Sequence, residues 1–375
     1  MGPRGRLSDA LGMTAIAYEL RRRRPFPLPR RRTVGRTVAL GATAVFLFLF
    51  VHSGALGDAH TAMRGLSSWT LAVSVAAILG GMGFTALRWR TLLRATGVEA
   101  PLPRLFSALA VSAAANNVLP ARGGDVVRVA ALRTAVPVPA SAVVGTMLAE
   151  RLLDGFTLAL WILLGALIAG AGAPLLPIGL ALCAGTGTGI ALAALAAAAP
   201  ERSARILARV TRILPQRARR PVESAVAGAL GGLSVFRSRR LLASALASSL
   251  ALWACDVVMY GALAHGFGLD IGLGGWLLLE GVGNLALAVP ASAAGIGSFD
   301  YLTLLGARSL GVSAGAAGAY VLTVHALVVL PATLLGGLLA RSAFRTPRTR
   351  ERSRRRTRRP TSSAALPCGD VAVGA

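Results

Sequence analysis

The sequence predicts an all-α fold, a polytopic bundle of transmembrane helices, and three observations predict it. The chain of 375 residues is 54% hydrophobic, and several apolar runs approach or exceed the roughly 20 residues that cross a bilayer as a helix. Arginines cluster between and beyond these runs. Two further apolar runs are interrupted by proline and glycine. Together these features predict about six full spans plus two re-entrant hairpins, or eight spans if each hairpin is counted as one.

The basic charge of the chain fits a membrane protein better than a nucleic-acid-binding protein. The formal net charge is +25 at pH 7, and it comes from arginine because the sequence contains no lysine. Such a charge often marks a nucleic-acid partner. Here the arginines flank apolar runs, as the positive-inside rule predicts for cytoplasmic segments, so no nucleic-acid partner is expected. The three cysteines lack metal-ligand spacing, and neither a zinc site nor a disulfide framework is expected.

Charge divides the chain into three predicted parts. Residues 1–36 are an Arg-rich N-terminal segment, and residues 341–375 are a basic tail that is expected to be disordered. Between them, residues 37–340 form the predicted transmembrane domain, with a cytoplasmic loop at 201–240. A secretory signal is the competing interpretation of the first apolar run, but its leader is long for a signal peptide. We therefore expect a multi-pass protein of the plasma membrane with both termini in the cytoplasm.

Six apolar runs are predicted to be full spans. They are residues 37–57, 69–87, 140–168, 175–199, 241–263 and 314–340. Trp89, with an arginine on each side, is predicted to be an interfacial anchor at the end of the second span. Three glycines of the fourth span, Gly185, Gly187 and Gly189, are expected to allow close helix packing.

The first re-entrant hairpin is predicted at residues 105–134. A short apolar run breaks at Pro120 and Gly123-Gly124, and a second short helix follows. Lipid tolerates irregular, charged backbone only where protein buries it or a water-filled cavity adjoins it. We therefore interpret the segment NNVLPARGGDVVRVAALR, residues 116–133, as the wall of an internal site.

The second hairpin is predicted at residues 264–312 and enters from the opposite face. Pro290, Gly295 and Gly297 interrupt its apolar run, and acidic residues flank the break. Opposed broken helices that meet at mid-membrane are a common way for transporters to build a substrate site. The two hairpins therefore predict one shared site between them.

Charged and amide residues near the two breaks and within the spans are the candidate headgroup-binding residues. An arginine fork suits bidentate contacts with phosphate or carboxylate. A charged side chain at membrane depth costs about 2.5–3.5 kcal/mol on insertion scales, so each such charge is a functional candidate. The candidates are Asn116, Asn117, Arg122, Asp125, Arg128, Glu150, Arg151, Asp154, Asp256, Glu280 and Asp300.

Simpler interpretations of these charges stay open at this point. Arg122 and Arg128 could be anchors at the cytoplasmic face, and the polar start of the third span could lie among lipid headgroups. Alternatively, Glu150, Arg151 and Asp154 form an internal ion-pair network that holds Arg122 or Arg128 in place. Glu150 and Asp154 are four residues apart, so they share a helix face.

With these residues assembled, the chain resembles the bacterial and archaeal flippase-like membrane family that includes the transmembrane part of lysylphosphatidylglycerol synthases. The resemblance covers about residues 40–340 and rests on three motifs in order. They are N-N-x-L-P-x-R-x-G-D-x-x-R at 116–128, E-R-x-x-D at 150–154, and Pro…Gly-x-Gly-x-x-acid at 290–300.

Two positions depart from the family pattern. The family usually has Pro-Gly where this chain has Ala293-Ala294, and it commonly has an arginine near the position of His325. From the sequence alone, a lone histidine is more often a packing residue than a functional one. Both departures leave the substrate open.

The resemblance implies movement of lipid-linked substrates between leaflets, or a role in envelope-lipid synthesis, in a bacterial plasma membrane. The implied partners are membrane lipids, either an anionic phospholipid or a polyprenyl-phosphate-linked headgroup, and an enzyme of envelope synthesis. The soluble aminoacyl-transferring domain is missing from this sequence, so lysyl transfer is not expected. No catalytic residue, cofactor or metal is expected.

Three functional hypotheses remain from the sequence. The first is a flippase-like transporter, and it predicts that Arg122→Ala or Arg128→Ala leaves folding intact but removes transport. The second is a membrane-embedded enzyme or accessory subunit that uses Glu150, Asp154 or Asp256 as an acid or base. The third is a non-catalytic scaffold for envelope enzymes.

Overall fold

The computed structural model describes residues 65–119, 123–170, 175–288 and 293–344, together with isolated helical positions between 45 and 52. Within these residues the regular secondary structure is helical, without strands, so the all-α prediction is confirmed. The α-helices, numbered α1 to α11 in chain order, are Ser68–Ala95, Leu102–Val118, Gly123–Ala135, Ala140–Ile168, Leu175–Ala198, Pro200–Val210, Gln216–Gly232, Arg239–Gly266, Gly272–Ala288, Ser298–Ser309 and Ala314–Ala343.

Five of the described helices are long and apolar enough to cross a membrane. They are α1, α4, α5 from Leu176 onward, α8 and α11. Each matches one of the predicted spans, because the length of an apolar run alone indicates a membrane-spanning helix, whatever its tertiary contacts. The remaining predicted span, 37–57, lies outside the described residues apart from the isolated positions. The chain is a polytopic helical membrane protein.

Local sequence sets where several of these helices begin. The side chain of Ser67 accepts a hydrogen bond of 3.1 Å from the Thr70 N–H and caps α1. Pro101 and Pro139 stand at the N-cap positions of α2 and α4, with extended backbone angles. At α8, the Ser238 side chain caps the helix by accepting from the Leu241 N–H. These caps fix the entry points of the helices that surround the candidate site.

The two predicted hairpins are pairs of short helices. In the first, α2 and α3 pack against each other; in the second, α9 contacts α10, with a 3-10 turn at Ala293–Gly295 between them. Helix α2 packs along α11, and α9 packs along α4. The 3-10 turn of the second hairpin also contacts α2. The break of one hairpin therefore meets the first helix of the other inside the bundle.

Small residues allow the closest helix contacts. A Cβ at Gly336 of α11 would lie 2.3 Å from the Ala110 carbonyl oxygen of α2, so only glycine fits this crossing. The prediction of close packing was wrong for Gly185 and Gly187, because a Cβ at either position would meet no atom within 4 Å. At Gly189 a Cβ would lie 2.9 Å from a terminal methyl of Leu152, so this glycine does face a neighbouring helix.

Candidate functional site

A cavity of about 320 Å³ lies between the first hairpin and helices α1, α4, α8, α9, α10 and α11. Its volume falls at the lower end of the range for small-molecule sites, about 300–1,000 Å³. Its lining contains three arginines and four carboxylates. Seven of the residues predicted from the sequence line it, namely Asn116, Asp125, Arg128, Glu150, Arg151, Asp154 and Asp256.

The most buried charge pair of the cavity joins α3 to α4. Both terminal nitrogens of Arg128 donate to the carboxylate of Glu150, each at 2.6 Å. The guanidinium also lies over the ring of Trp89, 3.8 Å from its centroid. Because both charged side chains are buried, Arg128 is not an anchor at the membrane surface, and Glu150 does not lie among headgroups.

A second pair joins α1 to α4, and it includes a buried arginine, Arg88, that the sequence did not single out. Arg88 donates from both terminal nitrogens to Asp154, and one of these nitrogens also donates to the Ser249 hydroxyl at 3.1 Å. The Trp253 indole N–H donates to Asp154 at 3.1 Å. These contacts gather α1, α4 and α8 around one carboxylate.

The predicted interfacial anchor at Trp89 was wrong. Trp89 is fully buried and its indole N–H donates to the Thr146 hydroxyl at 3.2 Å. Helix α1 continues to Ala95, so Arg88 and Trp89 lie two turns inside the helix rather than at its end. The signal that could have found Arg88 is the apolar pair Leu92-Leu93, which extends the buried face beyond the arginine.

The third charge pair is looser and more exposed. Arg151 lies 3.6 Å from Asp125 across the α3–α4 contact, which is beyond ordinary hydrogen-bond length. The Arg151 side chain is 48% exposed and that of Asp125 is 29% exposed. Glu150, Arg151 and Asp154 thus each pair with a residue of another helix, namely Arg128, Asp125 and Arg88, rather than with one another.

The amides of the first motif hold the hairpin together. Asn116 accepts a hydrogen bond of 2.8 Å from the Gly124 N–H, and the Ser112 hydroxyl donates to the Gly124 carbonyl at 2.8 Å. Asn117 points to α11 instead, where it donates to the Val329 carbonyl at 3.2 Å and the Thr333 hydroxyl at 2.9 Å. Asn117 does not line the cavity. Arg122 lies outside the described residues, and its role stays a prediction.

Asp256 and Glu280 approach the cavity from α8 and α9. Asp256 lines the cavity and has no ion pair among the described residues. Glu280 is fully buried behind the wall, one turn before the lining residue Asn284, whose amide donates to it at 3.0 Å. The described residues contain no group of three side chains suited to hold a metal ion.

Asp300 closes the break of the second hairpin and does not line the cavity. One of its oxygens accepts from the Gly297 N–H at 2.8 Å, and the other lies 2.6 Å from Nδ1 of His325. Nε2 of His325 lies 3.0 Å from the carbonyl oxygen of Ala294, which has a left-handed φ of 56°. The two departures from the family pattern therefore contact each other directly.

Replacing His325 with leucine is expected to destabilise the second hairpin. The change removes the imidazole that contacts the buried Asp300 oxygen and the Ala294 carbonyl, and an unsatisfied buried polar group costs about 1–3 kcal/mol. Thermal unfolding of the purified protein in detergent measures the effect. His265→Leu is the control, because His265 is exposed at the end of α8. Equal melting temperatures for the two variants would contradict this role for His325.

A family model described as Lysylphosphatidylglycerol synthase TM region matches residues 36–336 of the chain. The matched range contains both hairpins and every residue that lines the cavity. No curated protein matches the chain. Since the match covers most of the sequence, the chain belongs to the family of the lysylphosphatidylglycerol synthase transmembrane region.

Proposed function

We propose that this protein moves the headgroup of a lipid between the two leaflets of a bacterial plasma membrane, as a flippase-like transporter. The observation that carries the proposal is a cavity within the helical bundle, lined by charged side chains from α1, α3, α4 and α8. Charges at membrane depth are costly and mark substrate pathways. Transporters commonly place the substrate site beside broken helices near mid-membrane, and a polar cavity there would shelter a lipid headgroup from the apolar layer.

Arg151 is the residue best suited to contact the headgroup. Arg88 and Arg128 are both buried and each already bonds a carboxylate, Asp154 and Glu150 respectively, so neither is free to take a new partner. Arg151 is half exposed and has only a long contact with Asp125. Exposed pairs of this kind are weak, so a lipid phosphate can replace Asp125 as the partner of Arg151.

The charge balance of the cavity limits the substrate. The lining has one more carboxylate than arginine, so it offers no large excess of positive charge to a purely anionic group. Carboxylates accept hydrogen bonds from hydroxyl groups, and Asp256 is available for this among the described residues. These features support a headgroup that combines a phosphate with hydroxyl donors, which both an anionic glycerophospholipid and a polyprenyl-phosphate-linked sugar provide.

Replacing Arg151 with glutamine is expected to slow translocation by about tenfold or more, because a charge-assisted hydrogen bond contributes about 1.5–3 kcal/mol. The measurement uses proteoliposomes with a fluorescent anionic phospholipid and an impermeant quencher. Arg94→Gln is the control, since Arg94 is exposed at the end of α1 and does not line the cavity. The fluorescence of probes in the inner leaflet is protected from the quencher. If wild-type protein leaves this protected fluorescence unchanged for both glycerophospholipid and polyprenyl-phosphate probes, the proposal is contradicted.

The alternative is a membrane-embedded enzyme or an accessory subunit in envelope-lipid synthesis. An acid–base mechanism needs a carboxylate that can exchange its proton, whereas Glu150 and Asp154 are held by arginines. Asp256 is the cavity carboxylate that could still serve. A lipid that is covalently changed by wild-type protein but not by Asp256→Asn, seen by mass spectrometry of membrane extracts, would favour the enzyme.

A further inference from the structure

Glu280 is a carboxylate buried deep in the bundle without a countercharge. Its side chain is 0% exposed, and one of its oxygens, Oε1, accepts from the Asn284 amide at 3.0 Å. The other oxygen, Oε2, has no hydrogen-bond partner. Among the described residues, no arginine or histidine forms an ion pair with Glu280. An isolated buried carboxylate is strongly unfavourable unless a cation neutralises it.

Two buried hydroxyl groups near Glu280 also lack partners. Tyr260 on α8 and Thr303 on α10 are both buried, and neither hydroxyl oxygen has a hydrogen bond. Both lie beside Gly283, since a Cβ there would be 2.8 Å from the Tyr260 oxygen and 3.1 Å from the Thr303 oxygen. Gly283 is three residues after Glu280 on α9, so the two positions are neighbours on the helix surface. Three unpartnered oxygen atoms therefore occur in one buried region between α8, α9 and α10.

The helices packed against α9 bring further acidic groups toward Glu280. Asp256 and Tyr260 from α8, and Asp154 from α4, lie within electrostatic range of this carboxylate. On α10, Asp300 is already bonded by Gly297 and His325. The 3-10 turn between α9 and α10 has no ionisable side chain. Asp154 is paired with Arg88, so Asp256 is the acid among these that has no ion pair within the described residues. The surroundings thus supply oxygen atoms but no countercharge for Glu280, which is the chemistry of a cation site.

We propose that Glu280, together with the hydroxyl groups of Tyr260 and Thr303, binds a small monovalent cation, either a proton or a sodium ion. A proton on Oε2 neutralises the carboxyl group and turns that oxygen into a donor. A sodium ion neutralises the same charge and takes oxygen ligands from all three side chains. Either cation resolves both the missing countercharge and the unsatisfied oxygen.

The cation site is connected to the cavity through Asn284. This residue lines the cavity and donates its side-chain amide both to the Glu280 carboxylate and to the Glu280 backbone carbonyl, at 3.0 and 3.1 Å. Binding of the cation changes the charge on the Glu280 carboxylate. It therefore changes the hydrogen bond that holds Asn284 in the wall of the cavity. Coupling of cation binding to lipid movement would rest on the proposed function, but the cation site itself does not.

The test uses purified protein in detergent and does not depend on transport. For sodium, thermal unfolding is compared in sodium chloride and choline chloride. For the proton, infrared spectroscopy at neutral pH, where exposed carboxylates are ionised, detects the carbonyl stretch of a carboxylic acid that stays protonated. We expect wild-type protein to show either a melting temperature several degrees higher in sodium or a carboxylic acid band. Glu280→Gln is expected to lose that signal, and Asp270→Asn, a change at an exposed acid, is expected to keep it.

The absence of both signals in wild-type protein, or their persistence in Glu280→Gln, would overturn the proposal. If Glu280→Gln does not fold, Thr303→Val decides, because it keeps the carboxyl group and removes one oxygen. A weaker sodium response or a shifted carbonyl band in Thr303→Val supports the site, and an unchanged signal overturns it. A wild-type protein that binds the cation without moving lipid would leave this site standing and count against the proposed transport function.

Discussion

Arg128→Ala is expected to lower the free energy of unfolding by about 3–5 kcal/mol, because it leaves a buried carboxylate without its partner. The Arg128 fork donates two hydrogen bonds of 2.6 Å to Glu150, and both side chains are buried. The change also removes the cation that lies over the Trp89 ring. Denaturant unfolding of the purified protein, followed by the fluorescence of its tryptophans, measures the loss.

A double replacement distinguishes the loss of the whole ion pair from the cost of leaving one buried charge unpaired. Arg128→Met combined with Glu150→Leu substitutes apolar side chains of similar volume, and such swaps of buried ion pairs are often neutral or stabilising. The double variant is therefore expected to recover most of the stability that Arg128→Ala loses. Arg133→Ala is the matched control, since Arg133 is exposed on the same helix. A loss no larger than that of Arg133→Ala would refute the role assigned to the buried pair.

This result would replace the expectation from sequence that Arg128→Ala leaves folding intact. That expectation treated the arginine as a free headgroup ligand, whereas the geometry gives it a carboxylate partner and an aromatic neighbour. A transport defect in Arg128→Ala would therefore mix lost binding with lost structure. Arg151 is the better probe of substrate contact because its side chain is half exposed.

The parts of the fold that depend on local sequence could be predicted. Apolar length is counted along the chain, so the five described spans were found, and proline and glycine marked both hairpin breaks. The helical spacing of Glu150 and Asp154 indicated one shared helix face, and both residues line the cavity. Arg128, the partner of Glu150, was also one of the two arginines that the sequence offered as ion-pair partners, because it lies in the adjoining hairpin.

What depended on distant contacts could not be predicted. Arg88 looked like the end of a span because arginines commonly flank apolar runs, and only the packing of α4 and α8 against α1 buries it. Whether a motif residue faces the cavity or contacts another helix could also be seen only in the structure. Asn117 and Asp300 belong to motifs of the resemblance, yet they bond α11 and the second break rather than the cavity. A motif identifies important residues without saying whether they face a ligand or another helix.

Gly124→Ala is expected to separate the two helices of the first hairpin. A Cβ at Gly124 would lie 2.0 Å from the Ser112 carbonyl oxygen and 2.6 Å from the Asn116 side-chain oxygen, far inside contact distance. One of these atoms is backbone, so the helices themselves must move. We expect a destabilisation at the upper end of the roughly 1–3 kcal/mol that overpacking costs. The same movement displaces Asp125 and Arg128, so translocation in proteoliposomes is expected to fall with stability.

Two comparisons determine whether close approach is the cause. Gly83→Ala adds a Cβ on α1 that would meet no atom within 4 Å. Because alanine favours a helix by about 1 kcal/mol over glycine, this variant should be at least as stable as wild type. Asn116→Ala removes the hydrogen bond to Gly124 without adding bulk. Its effect is expected to be smaller, and the difference from Gly124→Ala measures the cost of the steric clash. Unfolding midpoints for Gly124→Ala that equal those of Gly83→Ala would mean that α2 and α3 are not packed closely at this glycine. The cavity wall would then have to depend on the buried ion pairs rather than on the hairpin contact.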